Sequence, residues 1–191
     1  TVSVAVSPGN VSESSGTPMV YTFTRTGSTA AAQVVNFSIG GTAANSADYT
    51  ASSSATFTYT PPSGTITIPI GQAAATLSVP PATDAIVEAN ETVVLTVTAG
   101  AGYVPAAGPN NVATGTINDD DTATISFTKF MDGSEGPPIV NGKFRLIQTA
   151  VSSTNTVINY TVSGTAVPGP GNDYATLSGT ATILAGNTSV D

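Results

Sequence analysis

Apolar and polar residues alternate with a period of two along most of the chain, and stretches with a helical period are nearly absent. Clusters of Gly, Pro, Asn and Ser separate the alternating stretches, which is typical of short strands joined by turns in an antiparallel sandwich or barrel. We therefore predict an all-β fold. The apolar positions of its seven predicted strands are Val2/Val4/Val6, Met19/Tyr21/Phe23, Val35/Phe37/Ile39, Ile66/Ile68/Ile70, Leu77/Val79, Val93/Leu95/Val97 and Ala113/Gly115/Ile117.

Several stretches of the sequence occur twice. NFSIGGTA at 36–43 returns as NYTVSGTA at 159–166, and SGTITIPIGQ at 63–72 returns as SGTATILAGN at 178–187. The first pair is offset by 123 residues and the second by 115, so the repeat is about 120 residues long. The chain therefore contains more than one copy of the same structural unit.

The second copy contains no counterpart of the acidic stretch 83–91 or of the aspartate triplet 119–121. We therefore predict a complete sandwich over 1–121 and a partial second sandwich, with only the first strands, over 122–191. On this interpretation the sequence is a fragment of a longer tandem array. We also expect the partial sandwich to expose strand edges, which favours edge pairing or strand exchange between copies.

Composition excludes several classes of chemistry. The 191 residues include no Cys, His or Trp, so there is no Ser-His-Asp triad, disulfide, zinc ribbon or iron–sulfur cluster. Twelve acids against four bases give a net charge of −8, which excludes the basic surface that nucleic acid requires. No apolar run of about 18 residues occurs, so we expect no direct insertion into a membrane. Paired carboxylates occur in glycosidases, but here they lie among like charges, and we predict no enzyme activity.

The acids themselves are unevenly placed. All eight that precede residue 122 lie in predicted turns or at strand ends, and Arg25 is the only base in that part of the chain. Alternate connections of a sandwich meet at the same end, where two carboxylates ~4 Å apart repel by roughly 4 kcal/mol. A single acid in a turn is explained by capping and solvation, but the whole group favours a cation. Ca²⁺, which takes about 6–8 oxygen ligands, fits better than Mg²⁺ or Zn²⁺.

Seven stretches together resemble the Calx-beta domain, a family found in the regulatory loop of sodium/calcium exchangers, in an integrin subunit and in tandem repeats of bacterial surface proteins. The resemblance implies an antiparallel, immunoglobulin-like, seven-stranded β-sandwich that binds Ca²⁺ at one end. The matching stretches are VSESSGT (11–17), YTFTRTG (21–27), VNFSIGGTA (35–43), DYT (48–50), GTITIPIGQAAATLSV (64–79), DAIVEANETVVLTV (84–97) and ATGTINDDD (113–121).

The resemblance also assigns ligand roles. In the first repeat the implied calcium ligands are Glu13, Asp48, Asp84, the backbone carbonyl of Ile86, Glu88, Glu91, Asp119, Asp120 and Asp121. Family members often have two adjacent acids where this chain has Thr83 and Asp84, so we expect fewer or weaker ions here. Glu135 and Asp173 match in the second repeat and are weaker candidates.

The expected function is that of a calcium-binding repeat in a large cell-surface or secreted protein, with Ca²⁺ stiffening the joint between repeats. Adhesion or cell–cell communication in a bacterium is the expected setting. Expected partners are neighbouring Calx-beta repeats and a protein or surface that the host protein adheres to. Two alternatives stay open: a regulatory Ca²⁺-sensor domain of an exchanger-like membrane protein, and a metal-free structural spacer in an adhesin.

Overall fold

The structure is a computed structural model that describes residues 1–191, and almost all of its regular structure is β-strand. The chain forms two compact units. The first comprises residues 1–84 and 89–120, and the second comprises residues 85–88 and 121–191. The chain contains no helix with the length and hydropathy that crossing a bilayer requires.

The first unit is built from two sheets. The smaller has the strand order β1-β3-β7, and the larger has the order β2-β10-β9-β4-β6-β5. All neighbours pair antiparallel except β2 and β10, which are parallel. The strands are β1 (Val2–Ser7), β2 (Asn10–Ser12), β3 (Met19–Arg25), β4 (Gln33–Gly41), β5 (Phe57–Thr60), β6 (Ser63–Ile68), β7 (Ala74–Val79), β9 (Glu91–Val97) and β10 (Val112–Asn118).

Alternation along the strands places one row of apolar side chains between these two sheets. Phe23 on β3 and Phe37 on β4 are both buried, and their ring centroids lie 5.5 Å apart. The seven predicted strands are all present, as an immunoglobulin-like sandwich, while β2 and β5 are additional short strands of the larger sheet. The expectation that Ile70 continues its strand is wrong. β6 ends at Ile68, and Ile70 is exposed in the turn that follows because the chain reverses there.

Tyr21 links the two sheets. Its side chain is fully buried, and its hydroxyl donates a 2.7 Å hydrogen bond to the carbonyl of Val93 on β9. Burial raises the pKa of Tyr21 to about 12, because the phenolate is poorly solvated between the sheets. A polar group that is buried and hydrogen-bonded in this way fixes how the two sheets pack.

The second unit contains three small sheets. One has the order β11-β12-β16, one pairs β14 with β15, and one pairs β13 with β8 in parallel. Its core is small, with Leu146 and Ile183 as its buried apolar side chains. The strands are β8 (Ile86–Val87), β11 (Ile125–Met131), β12 (Lys143–Gln148), β13 (Val151–Ser152), β14 (Thr156–Asn159), β15 (Thr180–Ile183) and β16 (Ser189–Val190).

Candidate metal centre

Three strands of the first unit place acidic residues at one end of the larger sheet. β2 and β10 run parallel, with Ser12 opposite Asn118, so Glu13 and Asp119 both follow directly at the same end. β9 runs antiparallel to β10, with Glu91 opposite Ile117, so the first residue of β9 lies there as well. Strand direction alone therefore gathers acids that are distant in the sequence, as the alternation of connections predicted.

Glu13 is the most buried acid of this end. It opens a single 3-10 turn, Glu13–Ser15, and is only 6% exposed. Its Oε1 accepts a 3.3 Å hydrogen bond from the backbone N–H of Asp84, and its carbonyl accepts one from Thr83 Oγ1 at 3.1 Å. The carboxylate oxygens of Glu13 and Asp84 lie within 4.8 Å of one another. The hydrogen bonds that link Glu13 to Thr83 and Asp84 thus hold the carboxylates of Glu13 and Asp84 close to each other.

A second pair of carboxylates lies in the same unit. Oxygens of Asp48 and Glu91 are within 4.8 Å of one another, and both side chains are half-buried. Asp48 Oδ2 accepts the backbone N–H of Ala44 at 2.5 Å, which closes the turn before it. The carbonyl of Asp48 also accepts the N–H of Ala82 at 2.8 Å. The turn at Asp48 and the segment leading to Asp84 are therefore tied together.

Tyr49 packs into the core beside this turn. It is buried, and its hydroxyl lies 3.4 Å from that of Tyr59. Burial, followed by the contact with Tyr59, raises the pKa of the Tyr49 phenol well above its usual range. The neutral phenol adds no negative charge beneath Asp48.

The three residues of the aspartate triplet, 119–121, make different contacts. The backbone N–H of Asp119 donates to Asn90 Oδ1 at 3.2 Å, while Asp119 Oδ1 is buried and has no hydrogen-bond partner. Asp121 Oδ2 is likewise buried and without a partner. Buried carboxylate oxygens are rarely left unsatisfied, because desolvating them costs several kcal/mol. Each of these atoms is a carboxylate oxygen, the kind of donor that a hard cation prefers.

Asp120 instead binds two serine hydroxyls. Its Oδ2 accepts hydrogen bonds from Ser12 Oγ at 2.5 Å and from Ser14 Oγ. These bonds, that of Ser12 first, lower the pKa of the Asp120 carboxyl. The sequence analysis did not anticipate this contact. The only signal for it was the short serine-rich stretch around Glu13, which is also compatible with an ordinary turn.

The one arginine or lysine of the first unit, Arg25, is remote from this end. Arg25 closes β3 opposite Val2, whereas β1 and β2 carry the chain away from Val2 toward Glu13. The buried guanidinium of Arg25 donates to the carbonyls of Ala31 at 2.7 Å, Gln72 at 2.9 Å and Pro69 at 3.1 Å. β3 is seven residues long, so roughly 20 Å of strand separates Arg25 from the acidic end. No arginine or lysine of the first unit offsets the repulsion among the acids.

The remaining candidates belong to the second unit. Ile86, whose backbone carbonyl the resemblance implies as a ligand, lies in β8, opposite Val151 of β13. Glu88 follows that strand directly. Asp173 Oδ2 accepts the N–H of Val167 at 2.8 Å, repeating the turn that Asp48 makes with Ala44. Glu135 is exposed. The ligand roles of these four residues stay predictions, as do those of all the other candidates.

The model of the Calx-beta domain matches residues 1–121. The chain belongs to the Calx-beta domain family. Among solved structures, the Calx-beta chain is similar to the crystal structure of CBD12 from CALX1.2, with a TM-score of 0.47 and 18% identity, covering 98% of this chain and 72% of that one. It is also similar to the apo form of the Calx CBD1 domain, with a TM-score of 0.46 and 21% identity, covering 63% of this chain and 98% of that one. The search of curated proteins found no match.

Calx-beta domains are regulatory and binding modules related to the calcium-binding domains of sodium/calcium exchangers. The donor atoms at the acidic end of this Calx-beta chain are of the type that Ca²⁺ prefers. They are carboxylate and carbonyl oxygens, which Ca²⁺ prefers, and no nitrogen or sulfur ligand for zinc is present. Glu13 is buried, and Asp119 Oδ1 is buried without a protein partner, so this end has donors for a hard cation.

Proposed function

We propose that the first unit binds Ca²⁺ at its acidic end. The observation that carries the proposal is the close Glu13–Asp84 carboxylate pair together with the unpartnered, buried Asp119 Oδ1. Carboxylates of the same sign are held together there, and Arg25, the one arginine or lysine of the first unit, donates to backbone carbonyls elsewhere, so a cation would relieve the repulsion.

The proposed ligands form two groups. Glu13, Asp84 and Asp119 supply the more buried oxygens, and Asp48 with Glu91 supplies the second carboxylate pair. Asp121 and Glu88 are proposed as additional ligands because the chain connects them closely to Asp119 and Glu91. The carbonyl of Ile86 is proposed on the family resemblance alone. Bound calcium supplies positive charge that these oxygens share.

Calcium at this end would also restrain the chain where it leaves the first unit. Asp119, Asp120 and Asp121 lead from the first unit into the second. Asn90 and the serines at 12 and 14 already hold this segment by hydrogen bonds. Ligation of Asp119 adds a further restraint, so calcium stiffens the link between consecutive repeats. At a hundredfold excess over Kd, binding adds about 2.7 kcal/mol of stability.

The proposed setting is a bacterial cell-surface or secreted protein in which Calx-beta repeats follow one another. There the module serves adhesion or cell–cell communication as a non-enzymatic, calcium-stiffened spacer. Extracellular calcium modules bind at about 10⁻⁴–10⁻³ M, whereas intracellular sensors bind at about 10⁻⁷–10⁻⁵ M. The affinity therefore separates this proposal from a regulatory sensor of a membrane exchanger.

Titration calorimetry of the full chain with CaCl₂, after removal of metal by EGTA and dialysis, tests the proposal. We expect binding in the extracellular range, a rise in melting temperature with Ca²⁺, and a much weaker response to Mg²⁺. A heatless titration with an unchanged melting temperature would reject calcium binding and leave the metal-free spacer. Micromolar or tighter binding would favour the sensor.

Matched variants test the ligand assignment. Asp119→Asn removes one charge from the proposed centre while keeping the shape of the side chain. Asp132→Asn removes one charge from an exposed residue of the second unit, whose carboxylate contacts Lys129 at 2.8 Å. We expect Asp119→Asn to weaken Ca²⁺ binding by at least about tenfold, since a ligand charge is lost, and Asp132→Asn to leave it unchanged. Equal effects of the two would show that calcium responds only to net charge.

A further inference from the structure

The last residue of strand β12 differs in charge from its counterpart in the first repeat. β12 pairs with β11 as β3 pairs with β1, at an offset of 123 residues that places Leu146 where the first unit has Phe23. The same offset matches Gln148, the last residue of β12, to Arg25, the last residue of β3. Both side chains are buried, with 3% and 8% exposure. The second repeat therefore has a neutral amide where the first has a guanidinium.

Four backbone carbonyls of the first unit accept hydrogen bonds from the guanidinium of Arg25. They belong to Ala31 (2.7 Å), Gln72 (2.9 Å), Pro69 (3.1 Å) and Thr29 (3.4 Å). All four lie in the two turns that join β3 to β4 and β6 to β7. The carbonyls of Thr29 and Pro69 each accept a backbone N–H as well, so the guanidinium uses their second lone pair. These oxygens form a cage around one positive charge.

The backbone of this cage is repeated in the second unit. The carbonyl of Ser152 accepts the N–H of Gly186 at 3.0 Å, and the carbonyl of Leu184 accepts the N–H of Asn187 at 3.0 Å. The first unit has the two matching bonds, at 2.8 and 3.1 Å. The corresponding carbonyls of the two units are those of Thr29 and Ser152, of Pro69 and Leu184, and of Gln72 and Asn187. The same oxygens are thus presented in both repeats.

Gln148 replaces only part of what Arg25 supplies. Its Nε2 donates to the carbonyl of Asn187 at 2.7 Å, as Nε of Arg25 donates in the first unit. Exchanging the amide nitrogen and oxygen would bring two acceptor oxygens together at that distance, so the orientation of the amide is fixed. Oε1 of Gln148 is buried and has no hydrogen-bond partner. Because buried polar atoms are rarely left unsatisfied, this oxygen and the carbonyls beside it point to a ligand.

The chemistry of these donors selects a monovalent cation. They are backbone carbonyls and one amide oxygen, and the carboxylate of Asp191, which follows β16, is bonded instead to Arg145 at 2.8 Å. Ca²⁺ sites depend on carboxylate charge, whereas backbone carbonyl oxygens replace the hydration shell of K⁺ in proteins. A water molecule donates only two hydrogen bonds, but a cation interacts with every oxygen of the cage. In the first unit the same oxygens already surround a positive group.

We propose that the second unit binds a small monovalent cation of the size of K⁺ between Gln148 Oε1 and the carbonyls of Ser152 and Leu184. The ion takes the role that the terminal nitrogens of Arg25 have in the first unit. It joins the segment 149–155 to the segment 184–188, as the guanidinium joins the two turns of the first unit. Calcium has no part in this site, so its test is independent of the proposed function.

Hydrogen exchange of the full chain tests the proposal. The chain is compared in KCl and in choline chloride at equal ionic strength, both with EGTA, because the choline ion is too large for the cage. We expect exchange at the amides of Gly186 and Asn187 to slow by at least about threefold in KCl, which corresponds to a K⁺ concentration of about twice Kd. The matching amides of Gly71 and Gln72 are the internal control and should exchange equally in both salts. No change at 186–187, or equal slowing in both units, would overturn the proposal.

Two variants of Gln148 test the assigned donor. Gln148→Arg supplies the positive charge from the side chain, so exchange at residues 186 and 187 should be slow in both salts. Gln148→Met removes the amide oxygen at similar length, so the effect of KCl should disappear. An effect of KCl that persists in both variants would overturn the assigned site.

The reciprocal variant, Arg25→Gln, should make exchange at residues 71 and 72 depend on KCl. An Arg25→Gln protein that folds and does not respond to KCl would contradict the proposal. Wild-type crystals grown in RbCl give a readout that needs no variant. We expect anomalous scattering from Rb⁺ beside Oε1 of Gln148, and a water molecule there without anomalous signal would overturn the cation site.

Discussion

The carboxylate of Asp120 is bonded to the hydroxyl of Ser12, with Asp120 Oδ2 and Ser12 Oγ 2.5 Å apart. The two residues are separated by 108 positions in the sequence, and the parallel pairing of β2 with β10 brings them together. This bond fastens the chain at the end of the first unit to the turn that carries Glu13. Asp120 thus holds this segment in place, while Asp119 Oδ1 is buried without a hydrogen-bond partner.

The Ser12–Asp120 contact predicts a pH dependence. Hydrogen bonds from Ser12 and Ser14 lower the pKa of folded Asp120 below its ordinary value of 3.8. The stability that they contribute is therefore present above pH 3.8 and is lost as the pH falls through the lowered pKa. We expect Asp120→Asn to lower the melting temperature in EGTA at pH 6, with the difference from wild type shrinking as the pH falls from 3.8 to 2. A difference that is the same at both pH values would contradict this origin.

Asp84→Asn is predicted to have opposite effects with and without calcium. In EGTA the substitution removes repulsion with Glu13, so we expect the melting temperature of the first unit to rise by about 2 °C. In excess Ca²⁺ the same substitution removes a ligand, so the variant should melt below wild type. Scanning calorimetry under both conditions measures the two signs. A lower melting temperature in EGTA as well would mean that Asp84 stabilises the fold without a cation.

Tyr21→Phe tests the polar link between the sheets. Loss of the hydrogen bond to Val93 is expected to cost about 1 kcal/mol in the free energy of unfolding at neutral pH. Because burial raises the pKa of Tyr21 from 10.0 to about 12, the wild type loses stability as the pH rises through this range. The variant should lose less over the same range, although Tyr49 still titrates. Urea unfolding of wild type and variant at pH 8 and pH 11 measures the lost hydrogen bond and the loss of stability with pH. Equal losses of stability in the two proteins between pH 8 and pH 11 would contradict the titration of Tyr21 as their cause.

Gly115→Ala tests the close approach of β10 to β3. A methyl group at this position would meet Met19 Sδ and, at 2.8 Å, the hydroxyl oxygen of Tyr21. We expect a loss of about 1–3 kcal/mol in the free energy of unfolding, since the core is overpacked. Gly40→Ala is the control, because a Cβ there meets no atom within 4 Å. Equal free energies of unfolding of the two variants in urea would show that β10 shifts to accommodate the methyl group without a loss of stability.

The sequence by itself determined seven of the nine strands of the first unit and which of their faces is apolar. Rows such as Met19/Tyr21/Phe23 alternate because one face of each strand is buried, and they end up in the core as predicted. The position of the acids at the ends of the strands could also be predicted, because they occur only in the turn stretches of the sequence. The prediction for Ile70 was wrong, because this apolar residue lies beyond Ile68, the last paired position of β6, and faces no second sheet.

Tertiary structure decided which acids meet. From the sequence, Asp119, Asp120 and Asp121 were three equivalent candidate ligands. The parallel pairing of β2 and β10 brings Asp120 to the hydroxyl of Ser12, whereas Asp119 Oδ1 is buried without a hydrogen-bond partner. It also decided the state of the second repeat. Tyr160 and Val162 have the same strand sequence as Phe37 and Ile39, yet residues 160–164 form no strand. A strand's pattern is local, whereas its hydrogen bonds and its buried face depend on a neighbouring strand, and only β4 has β9 beside it.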